Sequence, residues 1–253
     1  MLKMKMEDST TLTNLFKAIG SVVDEANFVV SPEALKIKAL DPSRTAMVDF
    51  ELPKEAFSEY EVTEEIPLCL SLETVLKLMR KATKDENVEF LLNESTGKLE
   101  IKFTKENSVR QFALSTLEPD TQGSMPVPKL NYLVTAKLVV SDFKSRIEDA
   151  QLTDTIVTVT AQKEKIVMDT EGSLISSHSE IKKGSTSLVS YEVKEESRAI
   201  YTLLYLEPIV KEASPTADTV TIQFATDMPM KLSFDIQQGK LEYYLAPRIE
   251  PKI

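Results

Sequence analysis

Four stretches of the chain carry apolar residues at helical spacing. In the first, Thr10 to about Val23, the side chains of Leu12, Leu15, Phe16, Ile19 and Val23 fall on one face behind a capping Ser9. The second runs from Leu72 to Thr83 behind Ser71, with Leu72, Val75, Leu76, Met79 and Ala82 inward. The third, Asp142 to Ala150 behind Ser141, turns Phe143, Ile147 and Ala150 inward. The fourth spans roughly Leu204 to Ala213 and contains Pro208, which has no amide to donate, so a short, late or kinked helix is expected.

Strand patterning fills the rest. Phe28 to Val30 and Leu35 to Leu40 flank a turn through Ser31 to Ala34. Val88 to Leu92 and Leu99 to Phe103 flank another at Asn93 to Lys98. Thr155 to Thr160 and Ile166 to Asp169 form a third hairpin, and Thr219 to Phe224, Met230 to Ile236 and Leu241 to Leu245 a last group. Alternation such as Val157, Val159 and Ile222, Phe224 is the signature of a half-buried sheet. The class is therefore α+β. Helix starts recur at intervals of about 62, 70 and 62 residues, one helix and a meander used four times. The longest irregular stretch, Glu118 to Asn131, holds Pro119, Pro126 and Pro128 and reads as an extended connector. The expected division is residues 1–117, a connector at 118–132, and residues 133–253.

Charge changes the picture. The net charge is −10, which argues against nucleic acid if averaged over the molecule. Fields are local, however, because salt screens charges within roughly 8–10 Å. The first helix has no acid from Thr10 to Ser21 and sets Thr13, Asn14 and Lys17 opposite its apolar stripe. The second carries Lys77, Arg80, Lys81 and nearby Lys84 against the single acid Glu73. The third mixes Lys144 and Arg146 with acids, and the fourth has Lys211 beside Glu212. Two readings stay open: ordinary solvation of helix faces, or phosphate contacts that position a duplex without reading its sequence.

Catalytic patterns are absent. The single histidine, His178, is a surface residue on this reading, with no nucleophile-elbow serine near it. No Cys/His cluster has metal spacing, and six glycines form no phosphate loop. The one cysteine, Cys69, lies in an apolar run and reads as a buried thiol in a reducing compartment. No signal peptide or membrane-spanning run is legible, so an intracellular, non-enzymatic protein without cofactor or metal is expected.

Particular residues then point to a family. Asp24 to Phe28 and Leu35 to Arg44 resemble the first helix, hairpin and aspartate turn of sliding clamps of the proliferating cell nuclear antigen (PCNA) type, and Leu52 to Tyr60 continues the resemblance in register. Thr226 to Met230 and Leu241 to Glu250 are similar to the clamp C-terminus, and the resemblance, archaeal in character, covers the whole chain. It implies two topologically similar domains per subunit, antiparallel sheets outside, four short helices inside, and a ring of three subunits. The ring would encircle duplex DNA without sequence preference and tether replication and repair enzymes.

By matching positions, the resemblance makes Lys17, Lys77, Arg80, Lys81, Lys84, Lys144 and Lys211 DNA-facing. It leaves Gly20 and Glu148 where a base is common, which thins the inner charge. It implies a partner pocket from Leu40, Arg44, Met47, Pro229, Tyr244, Leu245 and Ala246, with Met125 or Val127 from the connector. Without the family match, Leu40, Met47 and Leu245 read by preference as plain core. The pocket would take a short motif with a glutamine and aromatic anchors from DNA polymerase, flap endonuclease, DNA ligase and the clamp loader. The subunit edges would be Val109 to Thr116, with Arg110, Phe112 and Leu114, and Ser173 to Ile181, with Leu174, Ile175 and His178. Homotrimer and heterotrimer with paralogues are both open, as is a clamp-fold scaffold or specialised paralogue acting only in a heteromeric ring. The resemblance places the protein in the cytoplasm or nucleoid if archaeal, and in the nucleus if eukaryotic.

Overall fold

The computed structural model describes residues 1–83, 85–93, 95–118 and 130–249. The chain divides into two compact units. The first comprises Met1–Ala39, Val48–Met125 and Gln237–Lys240; the second comprises Leu40–Met47, Pro126–Ile236 and Leu241–Ile253. The turn after Leu40 thus belongs with the second unit. The expected connector falls largely on residues outside those described.

In chain order the elements are β1 (Leu2–Met6), α1 (Ser9–Gly20), β2 (Glu25–Val30), β3 (Ala34–Leu40), β4 (Ala46–Pro53), β5 (Glu59–Val62), β6 (Ile66–Ser71), α2 (Leu72–Met79), β7 (Asn87–Asn93), β8 (Lys98–Lys105) and β9 (Ser108–Ser115). They continue as β10 (Val134–Val139), α3 (Val140–Gln151), β11 (Ile156–Gln162), β12 (Lys165–Glu171), β13 (Ser176–Lys182), β14 (Leu188–Val193), β15 (Ser197–Thr202), α4 (Leu203–Ala213), β16 (Ala217–Phe224), β17 (Met230–Ile236) and β18 (Lys240–Leu245).

The sheet runs repeat. In the first unit the orders are β5-β1-β7-β8-β9 and β4-β3-β2-β6; in the second, β14-β10-β16-β17-β18 and β13-β12-β11-β15. Each element in one half has a counterpart in the other, which is the physical content of the helix spacing in the sequence. In the first unit α1 packs on α2, and Phe16 meets Phe28 and Phe90 edge to face with centroids 5.7 and 6.1 Å apart. In the second, α3 packs on α4, burying Phe143, Ile147, Leu206, Ile209 and Val210. Burying one such side chain stabilises the fold by about 1.5–3 kcal/mol.

Helix ends depart from expectation in instructive ways. Asp8, not Ser9, caps α1: its Oδ1 accepts the Thr10 amide at 2.8 Å. A carboxylate next door offers the stronger acceptor, while Ser9 is buried and donates to the Thr83 carbonyl. Burial opposes the Asp8 charge, but the Thr10 amide and Thr11 hydroxyl hold its carboxyl below the usual range. The helix stops at Gly20, so Val23 lies beyond it. Ser71 caps α2 as expected, through the Thr74 amide. That helix ends at Met79, and Lys81 and Ala82 continue it only with tighter bonds to Leu78 and Met79. Ser141 lies inside α3 and caps nothing; no side chain caps that helix, and Asp142 accepts from Ser187 instead. Pro208 sits within α4, which starts at Leu203 and is neither late nor truncated. The proline removes the bond that an amide there would donate to the Leu204 carbonyl.

Candidate nucleic-acid and partner surfaces

The basic residues of the helices are placed unevenly. Thr13, expected on the polar face of α1, is buried, with its hydroxyl donating back to the Ser9 carbonyl at 2.7 Å. Asn14 and Lys17 are half-buried. Gly20 lies against α2: a Cβ there would sit 3.4 Å from Leu76 Cδ1. Arg80 and Lys81 are exposed just past the end of α2, and Lys84 lies outside the described residues.

Three of the expected lysines have an acid one helical turn away. Lys77 pairs with Glu73 at 2.6 Å, Lys144 with Glu148 at 3.8 Å and Lys211 with Glu207 at 3.5 Å. Each pair follows the i,i+4 spacing that brings side chains together on a helix. The Lys77 ammonium in turn holds the Glu73 carboxyl below its usual range. Arg146 points elsewhere, donating to the Ser179 hydroxyl on β13. Lys77, Lys144 and Lys211 are thus locally paired.

In the second unit, the segment after Leu40 forms a turn organised by one buried carboxylate. Asp41 accepts from the amides of Ser43, Thr45 and Ala46 at 2.8, 2.6 and 2.6 Å, and from the Ser43 hydroxyl. Arg44 adopts a left-handed φ of 60° and is exposed. A fifth bond comes from far along the chain: the Tyr205 hydroxyl of α4 donates to Asp41 Oδ2 at 2.7 Å and lies 2.8 Å from the Ser43 hydroxyl. Burial opposes the Asp41 charge, but the Ala46 amide and the Ser43 and Tyr205 hydroxyls hold its carboxyl below the usual range.

The expected pocket residues gather on this unit with different exposures. Met47, Tyr244 and Leu245 are buried, whereas Leu40, Pro229 and Ala246 are half-buried. The Ala246 amide bonds to the Thr45 carbonyl at 2.8 Å, which fixes the end of β18 to the turn. Pro229 follows a bend in which Asp227 has a φ of 54° and the Met228 carbonyl accepts the Tyr201 hydroxyl at 2.8 Å. Met125 and Val127 lie outside the described residues. The parts played by Tyr201 and Tyr205 have no local signal in the sequence.

The two expected edge strands lie at sheet ends. β9 closes one end of the first unit's five-stranded run, and β13 one end of the second unit's four-stranded run. Arg110, Phe112 and Leu114 pair with Phe103, Ile101 and Leu99 of β8 and so share the core-facing side. Arg110 is already engaged within its unit: its guanidinium lies 5.1 Å above the Phe103 ring and bonds to both Glu86 oxygens at 2.7 and 2.9 Å. β13 begins at Ser176, three residues later than the sequence suggests. Leu174 and Ile175 stand in the preceding turn, 95% and 61% exposed. Gly172 opens that turn because a Cβ there would meet the Thr153 carbonyl oxygen at 2.2 Å. His178 pairs with Asp169 across the ladder, Nδ1 to Oδ1 2.6 Å. Among the described residues, no group of three or more His, Cys, Asp or Glu could hold a metal ion, and no helix is long and apolar enough to cross a membrane.

Comparison with known proteins matches the family model for the PCNA N-terminal domain to residues 1–122, and that for the C-terminal domain to residues 126–249. A "DNA polymerase sliding clamp" of Thermofilum pendens is 35% identical over 253 residues, covering 99% of this chain and all of the relative. "DNA polymerase sliding clamp 1" of Pyrobaculum aerophilum is 32% identical, with 96% of each chain covered. The crystal structure of PCNA from Thermococcus kodakaraensis superposes with a TM-score of 0.91 at 25% identity, over 98% of this chain and all of that one.

Proposed function

The chain belongs to the PCNA family of DNA polymerase sliding clamps, and from that premise we propose that three subunits close a ring around duplex DNA by pairing β9 of one with β13 of the next. As in its non-enzymatic family, the chain works as a tether. The observation that carries the ring is the pair of sheet ends. A strand at a sheet end offers unpaired amides and carbonyls to another strand, and exposed Leu174 and Ile175 stand beside one of them. Pairing between copies would cover both of these edges.

On this reading residues 1–117 and 133–253 are the two clamp domains and 118–132 the connector. Lys17, Lys77, Arg80, Lys81, Lys84, Lys144 and Lys211 meet phosphates. Such contacts carry no sequence information, so the duplex can slide. The half-buried margin of Leu40, Pro229 and Ala246, with Arg44 beside it, receives the aromatic anchors of a short partner motif, with Met125 or Val127 contributed by the connector. Buried anchors carry most of the affinity in such a site. The motif is supplied by polymerase, flap endonuclease, DNA ligase and a loader that uses ATP to open the ring; the clamp itself needs no cofactor. Its archaeal relatives favour the cytoplasm or nucleoid as its location.

Light scattering of the purified chain tests the ring. One subunit is 28.4 kDa, and a species near three times that mass is expected. A monomer at every concentration would overturn self-closure and assign the chain to a ring shared with paralogues. Failure of a clamp loader to place either ring on primed circular DNA would sink the encircling function.

A further inference from the structure

The partner margin in the second unit has two lips. One is the turn from Asp41 to Ala46, which follows Leu40; the other is the bend from Thr226 to Pro229. The first lip makes most of its own bonds; the second is also held to β15, where the Asp227 amide bonds to the Arg198 carbonyl and the Arg198 amide to the Thr226 hydroxyl, both at 3.2 Å. The Asp41 carboxylate takes four of its five from within the turn, and the Met228 amide bonds to the Ala225 carbonyl at 3.1 Å. Local bonds of this kind shape a turn but do not say where it sits on the body of the protein.

Two tyrosines, four residues apart where β15 passes into α4, add side-chain bonds that refer both lips to one stretch of backbone, beside the Ala246 amide on the Thr45 carbonyl and the Arg198 bonds to the bend. Tyr201 is fully buried on β15 and donates to the Met228 carbonyl of one lip at 2.8 Å. Tyr205, in the first turns of α4, donates to the Asp41 carboxylate of the other lip at 2.7 Å. Both hydroxyls leave rings anchored in one continuous piece of backbone, so the distance between the lips is referred to a single rigid junction. The bond from Tyr205 runs to a charged acceptor, the stronger kind, and the acceptor is buried.

We propose that Tyr205, seconded by Tyr201, is the positioning residue of the partner pocket: it touches no partner itself and sets the place of the Asp41 turn, and with it the margin formed by Leu40 and Ala246. The inference rests on the pocket reading above and goes beyond it, since neither tyrosine belongs to the expected lining. It also ties the pocket to α4, the helix that bears Lys211.

Titration of the whole protein with a fluorescein-labelled synthetic peptide, carrying one glutamine and a pair of phenylalanine anchors, separates the two claims. If the unaltered protein leaves the peptide unbound, the pocket reading fails and the inference with it. If it binds, Tyr205→Phe should raise Kd by about fivefold, the effect of one lost hydrogen bond. The solution mass should hold, and the melting temperature should fall by no more than the loss of one hydrogen bond requires. Amide exchange should quicken at Thr45 and Ala46, and an Asp41→Asn background should erase most of the effect of Tyr205→Phe. A Tyr205→Phe protein with unchanged Kd and unchanged exchange at Thr45 and Ala46 would overturn the proposal. Should Asp41→Asn fail to fold, the exchange measurement on the single variant decides alone.

Discussion

Replacing Glu73 with glutamine removes the acid that holds the Lys77 ammonium at 2.6 Å along α2. Both side chains are largely exposed, 72% and 66%, so the helix keeps its apolar contacts and the fold should not notice. Duplex binding should notice. A lysine released from its neighbour can neutralise one more phosphate, and each phosphate so neutralised steepens the dependence of log K on log salt by about 0.9. Over a fourfold rise in salt, that slope is worth about 3.5-fold in affinity for each additional phosphate. Glu73→Gln should therefore bind tighter at low salt and steepen the slope by up to about 0.9 for each subunit engaged. Lys77→Glu should move both quantities the other way. Fluorescence anisotropy of a labelled linear duplex across a salt series reads both. Identical slopes for the original protein, Glu73→Gln and Lys77→Glu would refute the reasoning, because no phosphate could then be meeting Lys77.

Other outcomes follow from separate parts of the molecule. Asp41 is held below the ordinary aspartate value of 3.8, so its stabilising contribution is present above that pH and is lost as pH falls further, through the folded-state value. Asp41→Asn should cost about 2 kcal/mol at neutral pH and flatten the acid limb of the melting profile, read by circular dichroism; parallel profiles would contradict this. Gly172→Ala forces a methyl to within 2.2 Å of the Thr153 carbonyl oxygen and should destabilise the fold by about 2 kcal/mol in chemical denaturation; a neutral result would show that the turn before β13 shifts freely. Ile175→Glu changes a 61% exposed side chain, so the subunit should melt normally while the light-scattering mass falls. An unaltered mass would remove this turn from the contact between copies.

Much of the fold is legible in the sequence because it repeats. Apolar periodicity marks all four helices, and Ser71 is recognisable as a cap because it stands directly before the first inward leucine. Ser9 misleads because Asp8 beside it is the better acceptor, and Ser141 because the helix has already begun at Val140. The hydroxyl of Thr13 suggests the polar face, yet it is satisfied by the helix's own Ser9 carbonyl and so tolerates burial. The start of β13 is hidden because Gly172 answers to Thr153, a steric relation no local pattern carries. Arg110 has the look of a subunit-edge residue, yet its first partners are Glu86 and Phe103. Least legible is the bond between Asp41 and Tyr205. The role of Tyr205 becomes apparent only once positions 164 apart in sequence are brought together.

The chain's only thiol, Cys69, is buried at 4% exposure. Maleimide and bismaleimide reagents should therefore pass over the native protein. A cysteine introduced at Gln111 on β9 and another at Ser176 on β13 would be the sole accessible targets, one on each strand expected to meet its mate in a second copy. Bands on a denaturing gel would then count the covalent links directly: a ladder stopping at the trimer, with a closed-circle species of altered mobility, would mark the closed assembly, and no cysteine would first have to be removed.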